Sequence, residues 1–462
     1  MAHIEDRTIE NTTINRPSLG GRSSKPGSRR GSGSVVLKSG QTLAYHTRTN
    51  DEDDLPHATK KTMADYLRKY ESIMRIITEA FKETLEKGLK EHGQVVPMIP
   101  TYVFGWPTGN EQGDFLAVDL GGTNLRVCLV TLNGSGQFEL TQAKYRLTEE
   151  QKHEDGQKLF DFCADCLGMF VKSQLEEDFG KLKSGQELAL GFTGLPIKLT
   201  ALINDTTGTL IASRYVKPET KIGCIFGTGC NAAYMEKIGN IEKINNLNLP
   251  ADQEMAINCE WGAFDSFEHE HLPRTKYDII VDETSNKPGE QAFEKLISGR
   301  YLGEILRLVL CELIDEGVLF LGQETYKLEN PYAFDTAFLS LMESDPTEEL
   351  LMIVGIFTYF FAIETTLAER QFFRALARLI GTRAARLSAC GIAAIVSKIG
   401  CLDEGCSVGA DGSLYNKYPN FADRIHEGLV AIFGERGKNI QTHHAEDGSG
   451  VGSAIIAVTF QP

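Results

Sequence analysis

The sequence predicts an α/β fold built as two lobes, and three observations carry that reading. At 462 residues the chain can bury a large core and is long enough to divide in two. The stretch Phe115–Asn133, FLAVDLGGTNLRVCLVTLN, reads as strand, glycine turn, strand. Further on, Gly223–Tyr234, GCIFGTGCNAAY, repeats the design around Gly227, Thr228 and Gly229. In the first stretch Asp119 sits among Leu116, Val118 and Leu120 with its side chain on the opposite face. Gly121 and Gly122 allow positive φ and let backbone N–H groups approach an anion closely, and Thr123 and Asn124 follow with short polar side chains. Asp119 is a hard oxygen ligand beside that turn, where Mg²⁺ carried on a nucleotide would sit. One such turn is as readily an ordinary tight hairpin. Two in one chain point to a pair of phosphate-holding turns.

Composition fits a globular enzyme. Hydrophobic residues make up 42% and the formal net charge is −16, which argues against direct nucleic-acid binding. The charge is uneven: residues 1–50 hold eight Lys/Arg against three Asp/Glu, so the remainder is strongly acidic. Ten cysteines are scattered without a disulfide framework, as in a reducing, cytoplasmic setting. Cys163 and Cys166 have CxxC spacing, but no second CxxC accompanies them, so they read as one face of a helix. The longest apolar run, Leu350–Ile363, is shorter than the roughly 20 residues needed to span a bilayer, and reads as a buried helix, unusually apolar all round.

In chain order, residues 1–50 are rich in Ser, Gly, Arg and Asn and read as a disordered basic tail, either a plain solvated tail or a docking address for protein partners, the nucleus or a membrane surface. Residues 60–93 predict a long amphipathic helix, with Leu67, Tyr70, Met74, Ile77, Phe81, Leu85 and Leu89 at three- and four-residue spacing and Gly93 as its stop. Pro97, Pro100, Pro107 and Gly109 mark an extended connector into the first hairpin. An edge strand, Gln137–Tyr145, and a helix from Gly156 to Phe179 follow, then a buried strand, Gln186–Thr193, and another, Leu199–Ile203, ending in Asn204 and Asp205. Tyr301–Leu321 and Thr366–Ile399 read as helices, and Ser453–Phe460 as a last apolar segment.

The motifs DLGGTNLRV, INDTTGTL, IFGTGCNAAYME, INCEWGAF and VGADGSLYNKYP, in this order, resemble those of a eukaryotic hexokinase of fungal type, from about Lys60 to the C-terminus. The resemblance implies an actin-like ATPase (ribonuclease H-like) fold. Its large lobe would be residues 51–113 and 204–445, its small lobe 114–203 and 446–462. It also implies transfer of the ATP γ-phosphoryl group to the 6-hydroxyl of a hexose (glucose, with fructose or mannose as further substrates), the first step of glycolysis, by a monomer or homodimer. By the same resemblance Asp205 is the catalytic base, and Asn204, Asn231, Glu260, Gln291 and Glu294 hold the sugar. Asp119 orients Mg²⁺ through water. The turns at Gly121–Asn124 and Gly227–Gly229 take phosphate, and Gly409, Asp411, Gly412 and Ser413 face the adenosine.

One part of the family pattern is missing. A Ser-Phe-Pro turn and a Trp-Thr-Lys-Gly loop, which hold sugar hydroxyls and place a Lys near the transferring phosphate, have no counterpart here. Thr193 is followed at once by Gly194-Leu195-Pro196. Each lost hydrogen bond is worth about 1 kcal/mol, or about 1.5–3 where charged. Three readings share the fold: a hexokinase that keeps activity, a catalytically impaired sugar-responsive regulator, and an incomplete gene model of an active hexokinase.

Overall fold

The computed structural model describes residues 34–36, 42–44, 57–121, 124–148, 150–151, 155–175 and 200–459. They belong to two units, one within residues 15–73 and the other beginning at Met74. In the first, β1 (Ser34–Val36) pairs antiparallel with β2 (Thr42–Ala44), Val35 opposite Leu43. These two paired strands fall within the expected tail; the rest of it lies outside the described residues.

Helix α1 (His57–Lys90) follows from its apolar spacing. Met74, Ile77, Phe81, Leu85 and Leu89 are all buried. Phe81 stacks on Phe264 with ring centroids 4.0 Å apart and meets Phe293 edge-on. Gly93, at φ 78°, takes the left-handed conformation that turns the chain away. The expected connector is partly a strand: β3 (Ile99–Phe104) pairs with β9 (Glu254–Asn258) across a register shift between Pro100 and Phe104. Pro100 cannot donate to a ladder, so an edge position suits it, and β3 is the edge of its sheet.

The first hairpin opens a three-stranded antiparallel sheet of β4 (Gln112–Leu120), β5 (Asn124–Gly134) and β6 (Gln137–Arg146). Its side chains alternate between two cores. Leu116 and Val127 face α2 (Gly156–Leu175), meeting Cys166, Leu167 and Phe170. Phe115, Ala117, Cys128 and Val130 face α3 (Asp205–Val216) and the C-terminal helix, meeting Leu210, Ile211 and Ile455. Asp119 shares the parity of Phe115 and Ala117, so it too points at the C-terminal helix. The expected strand Gln186–Thr193 lies outside the described residues.

The second sheet has six strands in the order β11-β10-β7-β8-β9-β3. β7 (Thr220–Phe226), β10 (Cys406–Asp411) and β11 (Ile440–His444) run parallel, and β7, β8 (Cys230–Lys237) and β9 alternate in direction. β7 and β8 are buried almost throughout, which is why their sequences are nearly continuous apolar runs. Helix α4 (Leu367–Ile399) starts at a capping box of Thr366 and Glu369 and stops at Gly400. It is long and apolar enough to cross a membrane, but most of that apolar window is buried inside the protein. Helix α5 (Phe421–Phe433) packs on it, and α6 (Gly448–Thr459) closes the described chain.

Two local expectations are corrected. Residues 200–204 are not a strand but an extended lead-in to α3, with Leu202 92% exposed. Asn204 accepts a hydrogen bond from the Thr206 N–H at 2.9 Å, and this cap starts a helix at Asp205. The run Leu350–Ile363 is not a buried helix throughout. It is a short helix, Leu351–Ile356, running into a π-helical turn at Phe357–Phe361. Ile353, Ile356, Phe357 and Phe361 point inward while Leu351, Phe360 and the 82% exposed Tyr359 face solvent. The run is apolar all round because only half of it serves the core.

Candidate active site

The first turn joins two strands in a register that sets Arg126 opposite Asp119. Arg126 Nε donates to Asp119 Oδ2 at 2.9 Å, its Nη2 reaches the same oxygen, and the Ser449 hydroxyl donates to it at 3.0 Å. Arg126 Nη1 pairs with Asp447 Oδ1 at 2.7 Å. One oxygen of Asp119 is thus fixed from two sides, by β5 and by the start of α6. The turn is closed by the Gly121 N–H donating to Asn124 O at 2.9 Å. Gly122 and Thr123 lie outside the described residues.

The second turn is closed in the same way, with the Gly227 N–H donating to Gly229 O at 2.9 Å. Its carbonyls are used from outside: Gly299 N–H donates to Gly227 O at 2.8 Å and Arg300 N–H to Thr228 O at 3.2 Å. This turn backs onto the end of β10. A Cβ on Gly412, whose φ is 108°, would strike Phe226 O and lie 2.8 Å from Gly227 N. Only glycine allows that approach. Asp411 Oδ1 accepts from the Gly412 N–H at 2.6 Å and from Asn416 Nδ2 at 2.9 Å. Burial works against its charge, yet these bonds and the neighbouring His444 hold Asp411 below the usual carboxylate range. Ser413 opens the next helix and is exposed. Gly409 is different: it lies inside β10, where the missing side chain admits Ser213 from α3.

Four of the expected sugar residues, Asn231, Glu260, Gln291 and Glu294, lie near the second turn, while Asn204 caps α3. Asn231 Nδ2 donates to Glu260 Oε1 at 3.1 Å and to Asn258 Oδ1 at 2.7 Å, and Asn258 Nδ2 donates to Glu260 Oε1 at 2.9 Å. Glu260 stands at φ 53°, a left-handed backbone held by its own N–H donating to Asn231 Oδ1 at 2.9 Å. Glu294 Oε2 accepts from the Cys230 N–H at 3.0 Å, and a Cβ on Gly229 would lie 2.7 Å from that oxygen. Gln291 is left-handed too, at φ 54°, and its Oε1 abuts Gly262.

Asp205 binds these parts together. It sits at the N-terminus of α3 and accepts from the Thr206 N–H at 2.8 Å. Its side chain is solvent-exposed, though many protein atoms lie near the carboxylate. Burial, then the charges of Asp119 and Glu260, push its pKa above the ordinary value against the pull of the Thr206 hydrogen bonds. Glu294 is also raised, by burial and then by Glu260. Four carboxylates from four distant sequence positions therefore share one electrostatic environment. That arrangement can accept hydrogen bonds from several hydroxyls of a neutral polyol and leave one carboxylate to act as a base. Among the described residues no cluster of three or more His, Cys, Asp or Glu side chains has metal-cage geometry. Asp119 instead offers a single carboxylate at a phosphate-type turn.

Sequence reasoning missed Arg126, Asn258, Asp447 and Ser449. Arg126 was the most accessible of these, because a four-residue turn between paired strands fixes which residue faces Asp119. Nothing local could have joined residues 447–449 to residue 119.

Two family profiles described as hexokinase match residues 60–194 and 221–459. Hexokinase-1 of Schizosaccharomyces pombe is 43% identical, covering 90% of this chain and 95% of its own length. Hexokinase-2 of Saccharomyces cerevisiae is 42% identical over 88% of this chain and 96% of its own. The hexokinase of Schistosoma mansoni, solved with glucose, superimposes with a TM-score of 0.72 at 28% identity, covering 86% of this chain and 99% of that one. The alignment with the S. pombe protein spans 464 positions but uses 90% of the 462 residues here, about 416, so about 48 of its positions have no counterpart in this chain. With the fold, the paired turns and the gathered carboxylates all in place, the chain belongs to the hexokinase family, whose reaction is ATP-dependent phosphorylation of a hexose.

Proposed function

We propose that this chain transfers the ATP γ-phosphoryl group to the 6-hydroxyl of glucose, with Asp205 as the general base. The observation that carries this is the shared field of Asp119, Asp205, Glu260 and Glu294. Asn204, Asn231, Glu260, Gln291 and Glu294 receive the sugar hydroxyls. The Gly121–Asn124 and Gly227–Gly229 turns offer backbone N–H groups to phosphate oxygens, where charge spreads in the transition state. Asp411, Gly412 and Ser413 approach the nucleoside, and Gly409 serves by letting β10 lie close to α3. Mg²⁺ fits at Asp119. All three of the carboxylate's hydrogen bonds are to Oδ2, and Mg²⁺ keeps most of its waters and needs few protein ligands. When bound it would neutralise phosphate charge. All ten cysteines are free thiols, which supports a cytoplasmic setting.

The first family match stops at residue 194, beside Thr193, which supports placing the missing segment there. The sugar is then held by the residues around the six-stranded sheet, and the absent loop tunes an enzyme whose base and phosphate turns remain. The impaired-regulator reading is not favoured at this level of similarity.

The test is coupled phosphorylation of glucose by the purified, folded full chain, with Asp205→Ala as control. Turnover lost in the control supports the assignment. A folded chain that binds ATP and glucose but turns over neither would overturn it. A second expectation concerns Glu294. Replacing a charged hydrogen-bond acceptor with a neutral one gives up on the order of 1–2 kcal/mol, so Glu294→Gln should raise KM for glucose about tenfold. A change confined to KM for ATP would remove Glu294 from the sugar side.

A further inference from the structure

We propose, on the nucleotide-side reading of Asp411, Gly412 and Ser413 given above, that His444 makes nucleotide affinity depend on a proton. Its imidazolium, set against Asp411, offsets the carboxylates at this end of the sheet and favours entry of the ATP polyphosphate. β7, β10 and β11 run parallel, so their C-terminal ends share one rim of the six-stranded sheet. β7 ends at Phe226, just before the Gly227–Gly229 turn, β10 ends at Asp411 and β11 ends at His444. Ligands of open α/β sheets bind outside the carboxyl ends of such strands. The Ala445 N–H donates to Ala410 O at 2.9 Å, which holds the end of β11 against the last residues of β10. His444 Nε2 then lies 3.7 Å from Asp411 Oδ1, and the His444 side chain is 47% exposed at the rim.

Two adjacent histidines have different surroundings here. His443 is engaged by Ser407, whose hydroxyl meets its Nδ1 at 3.0 Å. Burial, then the Lys217 charge, pushes the His443 pKa down to about 4, so this ring is neutral at pH 7. His444 meets carboxylates instead: Asp411 on β10, and Glu446 and Asp447 on the segment leading into α6. Its contact with Asp411 raises its pKa above the ordinary value against the effect of burial, and the charges of all three carboxylates add to the rise. Asp411 is held below the usual carboxylate range and is therefore charged at neutral pH. Arg126 of β5, the cation beyond Asp447, is already committed to Asp447 and Asp119.

A polyanion arriving at this rim favours the imidazolium, so nucleotide binding raises the His444 pKa and takes up protons. By the same linkage, protonation of His444 strengthens nucleotide binding. The extra affinity is fully present below the His444 pKa of the empty site. It is lost as pH rises from there through the pKa of the occupied site. Above that pH the rim presents Asp411, Glu446 and Asp447 to an incoming polyanion without the His444 charge.

Calorimetric titration of the folded full chain with ADP and magnesium tests this without turnover. The dissociation constant should rise about tenfold between about pH 6 and pH 9. Near pH 7, titrations in buffers of different ionisation heat should show more proton uptake by the parent than by His444→Gln. His444→Gln should bind weakly at both pH values. His444→Lys, a cation throughout this range, should bind tightly at both. Each variant is compared with the parent at the same pH, so titration of the ADP phosphate itself cancels. Parent affinity that is equal at both pH values would overturn the proposal, as would a His444→Gln protein that keeps the parent's pH dependence. In either case ADP still binds, and the phosphoryl-transfer reading stands. A chain that binds no ADP at either pH overturns both.

Discussion

Asp205→Asn should lower kcat for glucose phosphorylation by about 10²–10⁴, the range of a positioned general base, while raising the melting temperature. The two effects have one cause. Burial and the fields of Asp119 and Glu260 raise the folded-state pKa of Asp205 above its unfolded value. The folded state therefore holds the proton more tightly than the unfolded state. The stability this contributes is fully present below the unfolded pKa and is lost as pH rises from there through the folded pKa. At neutral pH the ionised carboxylate is a liability that asparagine removes, and asparagine retains an oxygen for the Thr206 N–H now 2.8 Å away. The same raised pKa sets the acid limb of the rate profile. kcat/KM should fall with decreasing pH about a midpoint above the roughly 3.9 of an unperturbed aspartate. Melting curves of both proteins at pH 5 and 8 and a pH–rate profile of the parent check this. A melting temperature that falls in Asp205→Asn at neutral pH would show that Asp205 is held mainly by favourable contacts.

Gly452→Ala should destabilise the protein by about 3 kcal/mol or more, at the upper end of overpacking. Helices α3 and α6 touch backbone to backbone: a Cβ at Gly452 would fall on Gly208 O, and one at Gly448 would lie 2.9 Å from Thr209 Cα. A backbone oxygen cannot swing aside as a side chain can, so the helices must separate. The consequence reaches the site, because α3 begins at Asp205 and α6 carries Ser449, whose hydroxyl holds Asp119. Denaturant titration measures the loss. Residual folded enzyme should also show a lower kcat at nearly unchanged KM for glucose, since Glu260 and Glu294 stand on other elements. Gly355→Ala is the control: nothing lies within 4 Å of its added methyl, and its stability should hold. Wild-type stability in Gly452→Ala would mean that the two helices are not packed at contact distance.

The turns and their neighbours were legible because their chemistry is local. A glycine pair between apolar alternations, or Gly-Thr-Gly after a buried run, has few other uses, and the structure places both at strand reversals. Helix α1 was legible because one face, from Met74 to Leu89, had to be buried. Two local readings failed for the opposite reason. Leu199–Ile203 looks like strand by composition, yet its described part, residues 200–203, has no partner strand among the described residues and the Asn204 cap claims the chain for α3. Leu350–Ile363 looks wholly internal, but apolarity says nothing about which side a neighbour occupies.

The sequence by itself determined the α/β class, the two turns, the family resemblance and the identity of the carboxylates. Each of these is written in residues close together along the chain or in motifs that travel as units. Only the tertiary structure decided that Arg126, Asp447 and Ser449 meet at Asp119, that Asn258 bridges Asn231 to Glu260, and that Asp205 starts a helix within the field of Asp119 and Glu260. The reason is physical: a pKa and a hydrogen-bond partner depend on distance in space, and packing α6 across α3 brings together residues 321–330 positions apart in sequence.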